Sequence, residues 1–271
     1  MEMMNQTILT QAKDRKMDKN IVLTDITKLH GGMCCVAGVC LEDGRLYRLS
    51  APGVSLDSVM RGGWRIGTVL SGTFCHNAAV GSAHVEDSRW SGHPTVEFCG
   101  DATLEAFYAR TSVSSLTSAL GIVSKGTFIG DFTPRGRSIA TNRPESISIQ
   151  VKPPYCAGGK ESLRVHLMAA GMTFTYLAVT DQRFFNKDGS INRKAVEVAQ
   201  EHLCAVARGN EQVYVRVGIT RPYDPKGMGN LQYWAQIDGL HFFNVVSGKY
   251  VRDFTRTNFV GRFFESAREV A

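Results

Sequence analysis

Apolar residues recur along this chain mostly with a period of two, in short runs, and only twice with the 3.6-residue period of a helix. The runs NIVLTDI (20–26), MCCVAGVCL (33–41), RLYRLS (45–50) and RIGTVLSGTFC (65–75) are predicted strands. KLHGG (28–32) is a turn, and Glu42-Asp43-Gly44 joins the second and third runs as a hairpin. Residues 76–100 are predicted to be irregular apart from TVEFC (95–99). Asp101 is placed to cap a helix over 102–110, with Leu104, Phe107 and Tyr108 at helical spacing. Weak strands follow around Ser138 and Ile147. Lys152-Pro153-Pro154, with Gly158-Gly159 close behind, forms the best linker in the chain.

The second half is more regular. SLRVHLMA (162–169) and FTYLAVT (174–180) flank Gly171 as paired strands. Ser190 or Asn192 then opens a helix over 193–208, with Val196, Ala199, Leu203 and Val206 on one face and Gly209 as its stop. EQVYVRVGIT (211–220) sets Val213, Val215, Val217 and Ile219 against Tyr214 and Arg216. LQYWAQID (231–238) and HFFNVV (241–246) read as a hairpin across Asp238-Gly239. With ISIQV (147–151) counted first, the order is three strands, a helix and further strands. That order is expected of an OB-type five-stranded barrel, a fold whose strands present a face to oligonucleotides and other ligands.

Charge divides the chain unevenly. Residues 1–20 carry 4 basic and 3 acidic residues, residues 21–150 carry 11 of each, and residues 151–271 carry 16 and 11. The total of +6 therefore sits almost wholly in the last part. So small a charge does not by itself imply nucleic acid; its location matters more. Aromatics gather in the same part, with 11 of the 25 in residues 211–264. The tail 249–265 interleaves Arg252, Arg256 and Arg262 with Tyr250, Phe254, Phe259 and Phe263, which suits either a single strand or a packed closing segment.

No run is long and apolar enough for a membrane span, and residues 1–20 read as a polar arm rather than a signal peptide. Seven cysteines with no CxxC pair suit reduced thiols in a cytoplasmic protein. His30, Cys34, Cys35, Cys40, Cys75 and His76 only loosely approach zinc spacing, so no metal and no cofactor are predicted.

The segment TDITKLHGGMCCVAGVCLEDGRLYRL (24–49) resembles the opening of the bacterial dual-OB domain proteins, in which a small polar residue and Lys lead into Gly, Cys and an Ala-Gly pair. FTYLAVTD (174–181), VYVRVGITRPY (213–223) and LQYWAQIDGLHFF (231–243) are similar to the second half of that pattern. The resemblance spans most of residues 20–246, while 76–146 align with nothing in it. It implies a mainly β chain with few helices, made of two OB-like five-stranded barrels, in bacterial defence or nucleic-acid metabolism. It brings no catalytic residue. The expected organisation is an arm at 1–20, a first unit at 21–151 with an irregular insertion, and a second at 152–271 ending in the aromatic and basic tail.

The candidate site gathers Thr180, Asp181, Tyr214, Arg216, Thr220 and Arg221, with Tyr233 or Trp234 nearby. Arg216 and Tyr214, two residues apart on one strand face, suit clamping a phosphate and stacking a base. The alternative for Arg216 is an ion pair with Asp181. Lys28, beside His30-Gly31-Gly32, belongs to a turn able to hold an anion, and Arg45 extends a basic track into the first unit. GxxxxGK[ST], HExxH and GxSxG are all missing. The expected function is binding of single-stranded nucleic acid or a nucleotide without catalysis. The alternatives are a protein-interaction subunit docking through 249–271 and a nucleotide-processing enzyme using Asp181.

Overall fold

β1 (Met17–Lys28) is long enough to serve two neighbours, and the first sheet is organised around it. Its first half pairs antiparallel with β4 (Thr68–His76) and most of its length with β2 (Met33–Cys40). β3 (Leu46–Ser55) flanks β2 and β5 (Ser88–Phe98) flanks β4, giving the order β3-β2-β1-β4-β5. The two outer strands approach each other at one parallel bridge, Arg48 with Asp87. A short helix, α1 (Leu56–Arg61), is capped by the Ser55 hydroxyl and lies between the third and fourth strands. The computed structural model describes residues 17–77, 82–122, 128–129, 137–222, 224, 232–252 and 254.

Two helices, α2 (Asp101–Thr111) and α3 (Leu116–Leu120), lead to the second sheet. Its strands are β6 (Phe128–Ile129), β7 (Ile139–Asn142), β8 (Ser146–Lys152), β9 (Ser162–Ala169), β10 (Met172–Val179), β11 (Glu211–Ile219) and β12 (Tyr233–Asn244). The path is β7-β11-β12-β10-β9-β8, with β6 paired to β12. β10 and β12 run parallel, and α4 (Arg193–Ala207) lies between β10 and β11 in the chain. Only Arg143-Pro144-Glu145 separate β7 from β8, so the two ends of the path are consecutive in sequence.

The protein is thus mainly β with two sheets, and both repeat one pairing scheme. In each, a first segment pairs with the second and fourth strands, and the third lies parallel to the fifth, by a single bridge in the first sheet.

Several sequence expectations need correction. The boundary near 152–159 falls inside the second sheet, because β8 pairs with β9 across the Pro/Gly segment in full antiparallel register. That segment is a loop within a sheet rather than a linker between units. Residues 88–98 form one strand, where only 95–99 was expected; Gly92-His93-Pro94 disguise it, and an edge strand can hold a proline. Asp101 is the first residue of α2 and not its cap, a place taken by Gly100. Asp238-Gly239 is no hairpin turn: β12 runs straight through it. Arg216 and Val217 pair with Gly239 and Ile237, leaving Asp238 as the extra residue of a bulge. Residues 1–16 of the arm and 255–271 of the tail lie outside the described residues.

Each sheet has its own core. The second holds Val165, Leu167, Phe174, Leu177, Val213, Val215, Val217 and Phe242, with Val196 and Ala199 of α4 laid on it. The first holds Ile21, Leu23, Val36, Leu70 and Tyr108, and it also takes in Tyr214, Phe243 and Tyr250 from the second half. Each such buried aromatic contributes roughly 1.5–3 kcal/mol. β12 and the other face of β11 therefore close over the first unit.

Candidate functional site

That closure decides where the predicted site residues lie. Tyr214 and Arg216 do share a face opposite Val213, Val215 and Val217, but the face is covered. Arg216 is 2% exposed and pairs with Asp25 of β1, not with Asp181. Its Nε donates to Asp25 Oδ1 at 3.0 Å, Nη2 to Oδ2 at 2.8 Å, and Nη1 to Thr141 Oγ1 at 3.0 Å. Tyr214 packs on Tyr108 and Phe243. Asp181 accepts from Arg183 Nη2 at 2.6 Å and from the Leu240 backbone N–H at 3.2 Å. Thr180 donates to Ile237 O and Asp238 Oδ1, both at 3.1 Å. Thr220 accepts from the Trp234 backbone N–H at 3.0 Å. Thr180, Asp181, Tyr214 and Arg216 do come together at a junction between the sheets, while Thr220 lies partly buried just past the end of β11.

Of the remaining three, Lys28 adjoins the junction through its backbone N–H, which donates to Thr180 O at 2.7 Å, and the other two lie outside it. Arg221 is exposed yet donates to Asp87 Oδ2 at 2.5 Å, sharing that carboxylate with buried Arg48. Lys28 donates to Gly189 O at 2.6 Å and lies 4.3 Å from the Phe185 ring centroid. Arg45 is exposed in the β2–β3 turn, away from the others.

The junction is electrostatically crowded. Asp238 is buried beside Gly218, where any Cβ would collide with its carboxylate. Burial, then the charge of Asp25, pushes its pKa up to about 7, although Gln236 and Thr180 hydrogen bonds oppose the rise. His241 accepts or donates through Nδ1 to Tyr250 Oη at 2.9 Å and stacks on Tyr108 at 4.3 Å. Burial, followed by the positive charges of Arg183 and Arg216, holds its pKa well below the usual histidine value. These groups are buried behind both cores, and they weld the units rather than meet a ligand.

A different surface has the chemistry expected of a site. On β9, Leu163, Val165 and Leu167 point inward while Ser162, Arg164, His166 and Met168 alternate outward. Gln150 of β8 stands opposite Arg164, and Lys152 opposite Ser162. On β10, Phe174 pairs with Leu167 and Leu177 with Val165, so Thr175 and Tyr176 together face His166. This bulge puts Tyr176 in the left-handed region (φ +59°), which costs a residue with a Cβ about 1–2 kcal/mol. Tyr176 is 51% exposed. Lys152 Nζ lies 5.2 Å from the ring centroid, the His166 ring meets its edge at 4.8 Å, and Arg164 Nη1 donates to Tyr176 O at 3.3 Å. Gln150 contacts His166 Nε2. Burial and then the Lys152 charge lower the His166 pKa, so the imidazole is neutral at neutral pH. None of the residues of β8, β9 or β10 is acidic.

No protein-family model matches the chain, and no curated protein matches it.

Chemically, this face offers an aromatic plane for stacking and two cations for phosphate, with no carboxylate from its own strands to repel an anion. Sequence reasoning passed it by because Tyr176 was read as part of an ordinary strand. The available signal was the lack of Asp or Glu in SISIQVK, SLRVHLMA and MTFTYLAV together.

Proposed function

We propose that the protein is a module of two OB-type units that binds single-stranded nucleic acid without catalysing a reaction on it. The observation that carries this reading is the outer face of β8, β9 and β10, strands that contain no Asp or Glu, with exposed Tyr176 among Lys152, Arg164 and His166. Support also comes from the shared pairing scheme with a helix between the third and fourth strands, which is the OB order. In the second unit the consecutive β7 and β8 act as one bent first strand reaching both β11 and β9. The Tyr176 face then occupies the second and third strands, the face that OB folds turn to oligonucleotides. The resemblance to dual-OB domain proteins points the same way and implies a setting in bacterial defence or nucleic-acid metabolism.

The ligand role expected of Arg216 and Tyr214 passes in this proposal to Arg164 and Tyr176. Fluorescence anisotropy with labelled single-stranded DNA and RNA at rising salt tests it. Binding should weaken with a log–log slope of about −0.7 for each phosphate neutralised, and Lys152→Ala and Arg164→Ala should each make the slope shallower by about that amount. Binding that ignores both substitutions, or no binding at low salt, overturns the reading.

A further inference from the structure

We infer that the first unit carries a separate binding site for a medium-chain fatty acid, in the cleft between α2 and the β1–β2 ladder. The cleft encloses about 200 Å³. Val22 and Val39, directly opposite one another in the ladder, line it from the sheet. Leu104 and Phe107 line it from the buried side of α2, and Ala106 and Arg110 from the exposed side. Residues three and four apart share a helix face, so the cleft runs along α2. None of the lining residues belongs to β8, β9 or β10, so the site shares nothing with the face proposed to bind nucleic acid.

Arg110 is the one charged side chain among the lining residues. It is exposed, and among the described residues it makes no ion pair or side-chain hydrogen bond. No carboxylate lines the cleft among the described residues; Glu42 contacts the wall residue Cys40 but stands outside the walls. The polar groups of the walls are engaged within the protein. Thr24 donates to Asp25 Oδ2 at 2.9 Å, Cys40 to Glu42 Oε2 at 2.8 Å and Cys99 to Gly100 O at 3.5 Å. The interior therefore favours hydrocarbon, and the rim offers a guanidinium whose planar fork matches a carboxylate. An apolar cavity of about 150 Å³ accepts the six carbons of benzene, so about 200 Å³ takes roughly eight. An eight-carbon chain with its carboxylate at Arg110 meets both demands.

The test is calorimetric titration of the full chain with butyrate, hexanoate, octanoate and decanoate, and with octanol as the uncharged counterpart. Affinity should rise about fourfold with each methylene up to octanoate, the factor for burying one such group, and level off beyond it. Octanol should bind about tenfold or more weakly than octanoate, having no charge for Arg110 to meet. Arg110→Gln should lower octanoate to the affinity of octanol and leave octanol unchanged. Ala106→Leu fills the cleft and should abolish binding of both. The two substituted positions are exposed, so an unchanged melting temperature confirms that each variant is folded. Absence of octanoate binding, an affinity that ignores chain length, or octanoate binding that survives either substitution undiminished overturns the inference.

Discussion

Arg216 with Tyr214 and Arg164 with Tyr176 are the same pair of residue types on strands of one sheet, and they have opposite fates. Arg216 meets the Asp25 carboxylate and is sealed between two cores. Arg164 stands on a face whose strands supply no carboxylate, beside a tyrosine that is half exposed. What lies opposite a side chain determines its work more than the pattern of its own strand. A buried arginine held bidentately by aspartate fixes two units against each other. The outward arginine is held by its own sheet, donating to Ser162 Oγ at 3.2 Å and to Tyr176 O at 3.3 Å, beside the exposed ring.

The largest expected effect breaks the junction side of this comparison. Arg216→Met leaves Asp25 buried and unpaired, which should cost about 3–5 kcal/mol in urea unfolding. The double variant Asp25→Leu with Arg216→Met should recover much of that loss, because the pair is removed whole. A single variant as stable as wild type would mean the junction is held by its apolar contacts alone.

Next in size is a pH effect confined to the junction. Folded Asp238 keeps its proton up to about pH 7, whereas an unfolded aspartate releases it near 4. The native state thus binds the extra proton between those values. Stability gained from Asp238 is intact at the acid end of the window and is lost as pH rises through it, on the order of 4 kcal/mol in all. Asp238→Asn keeps a neutral side chain there and should flatten the unfolding free energy between pH 5 and 7.5. An unchanged slope would locate the titration elsewhere.

The outward face responds differently. Tyr176→Gly and Tyr176→Ala should both abolish stacking, yet the glycine variant should be more stable than the alanine variant by about 1 kcal/mol, since glycine alone tolerates the left-handed bulge. Paired melting and binding curves check this, and equal stabilities would show that the bulge relaxes in either variant. The smallest effect belongs to Arg45→Ala. Remote from both regions, it should change stability by less than about 0.5 kcal/mol and leave the affinity for single-stranded DNA unaltered.

Much of the fold was legible because strand pattern and turn chemistry agreed. The alternation of Val213, Val215 and Val217 and the Asn192 cap of α4 led directly to observed elements. The failures share a cause: tertiary contacts overrode local signals. Asp238-Gly239 carries a turn dipeptide, yet Thr180 and Gln236 hold the aspartate, and a side chain in place of Gly239 would strike the His241 ring. Pro153-Pro154 and Gly158-Gly159 read as a linker because sequence does not reveal that 146–152 and 162–169 pair across them. For the site, sequence alone located the basic, aromatic half of the chain. It did not show that one face of β11 would be covered by β1 and α2, which is why Arg216 and Tyr214 were expected outside and Tyr176 was passed over.

The most direct measurement is binding of labelled single-stranded DNA by wild type and by the double variant Arg164→Ala with Tyr176→Ala, alongside their melting curves. The double variant should bind roughly 20-fold or more weakly with an unchanged melting temperature. Wild-type affinity retained by that variant would contradict the assignment of this face as the binding site.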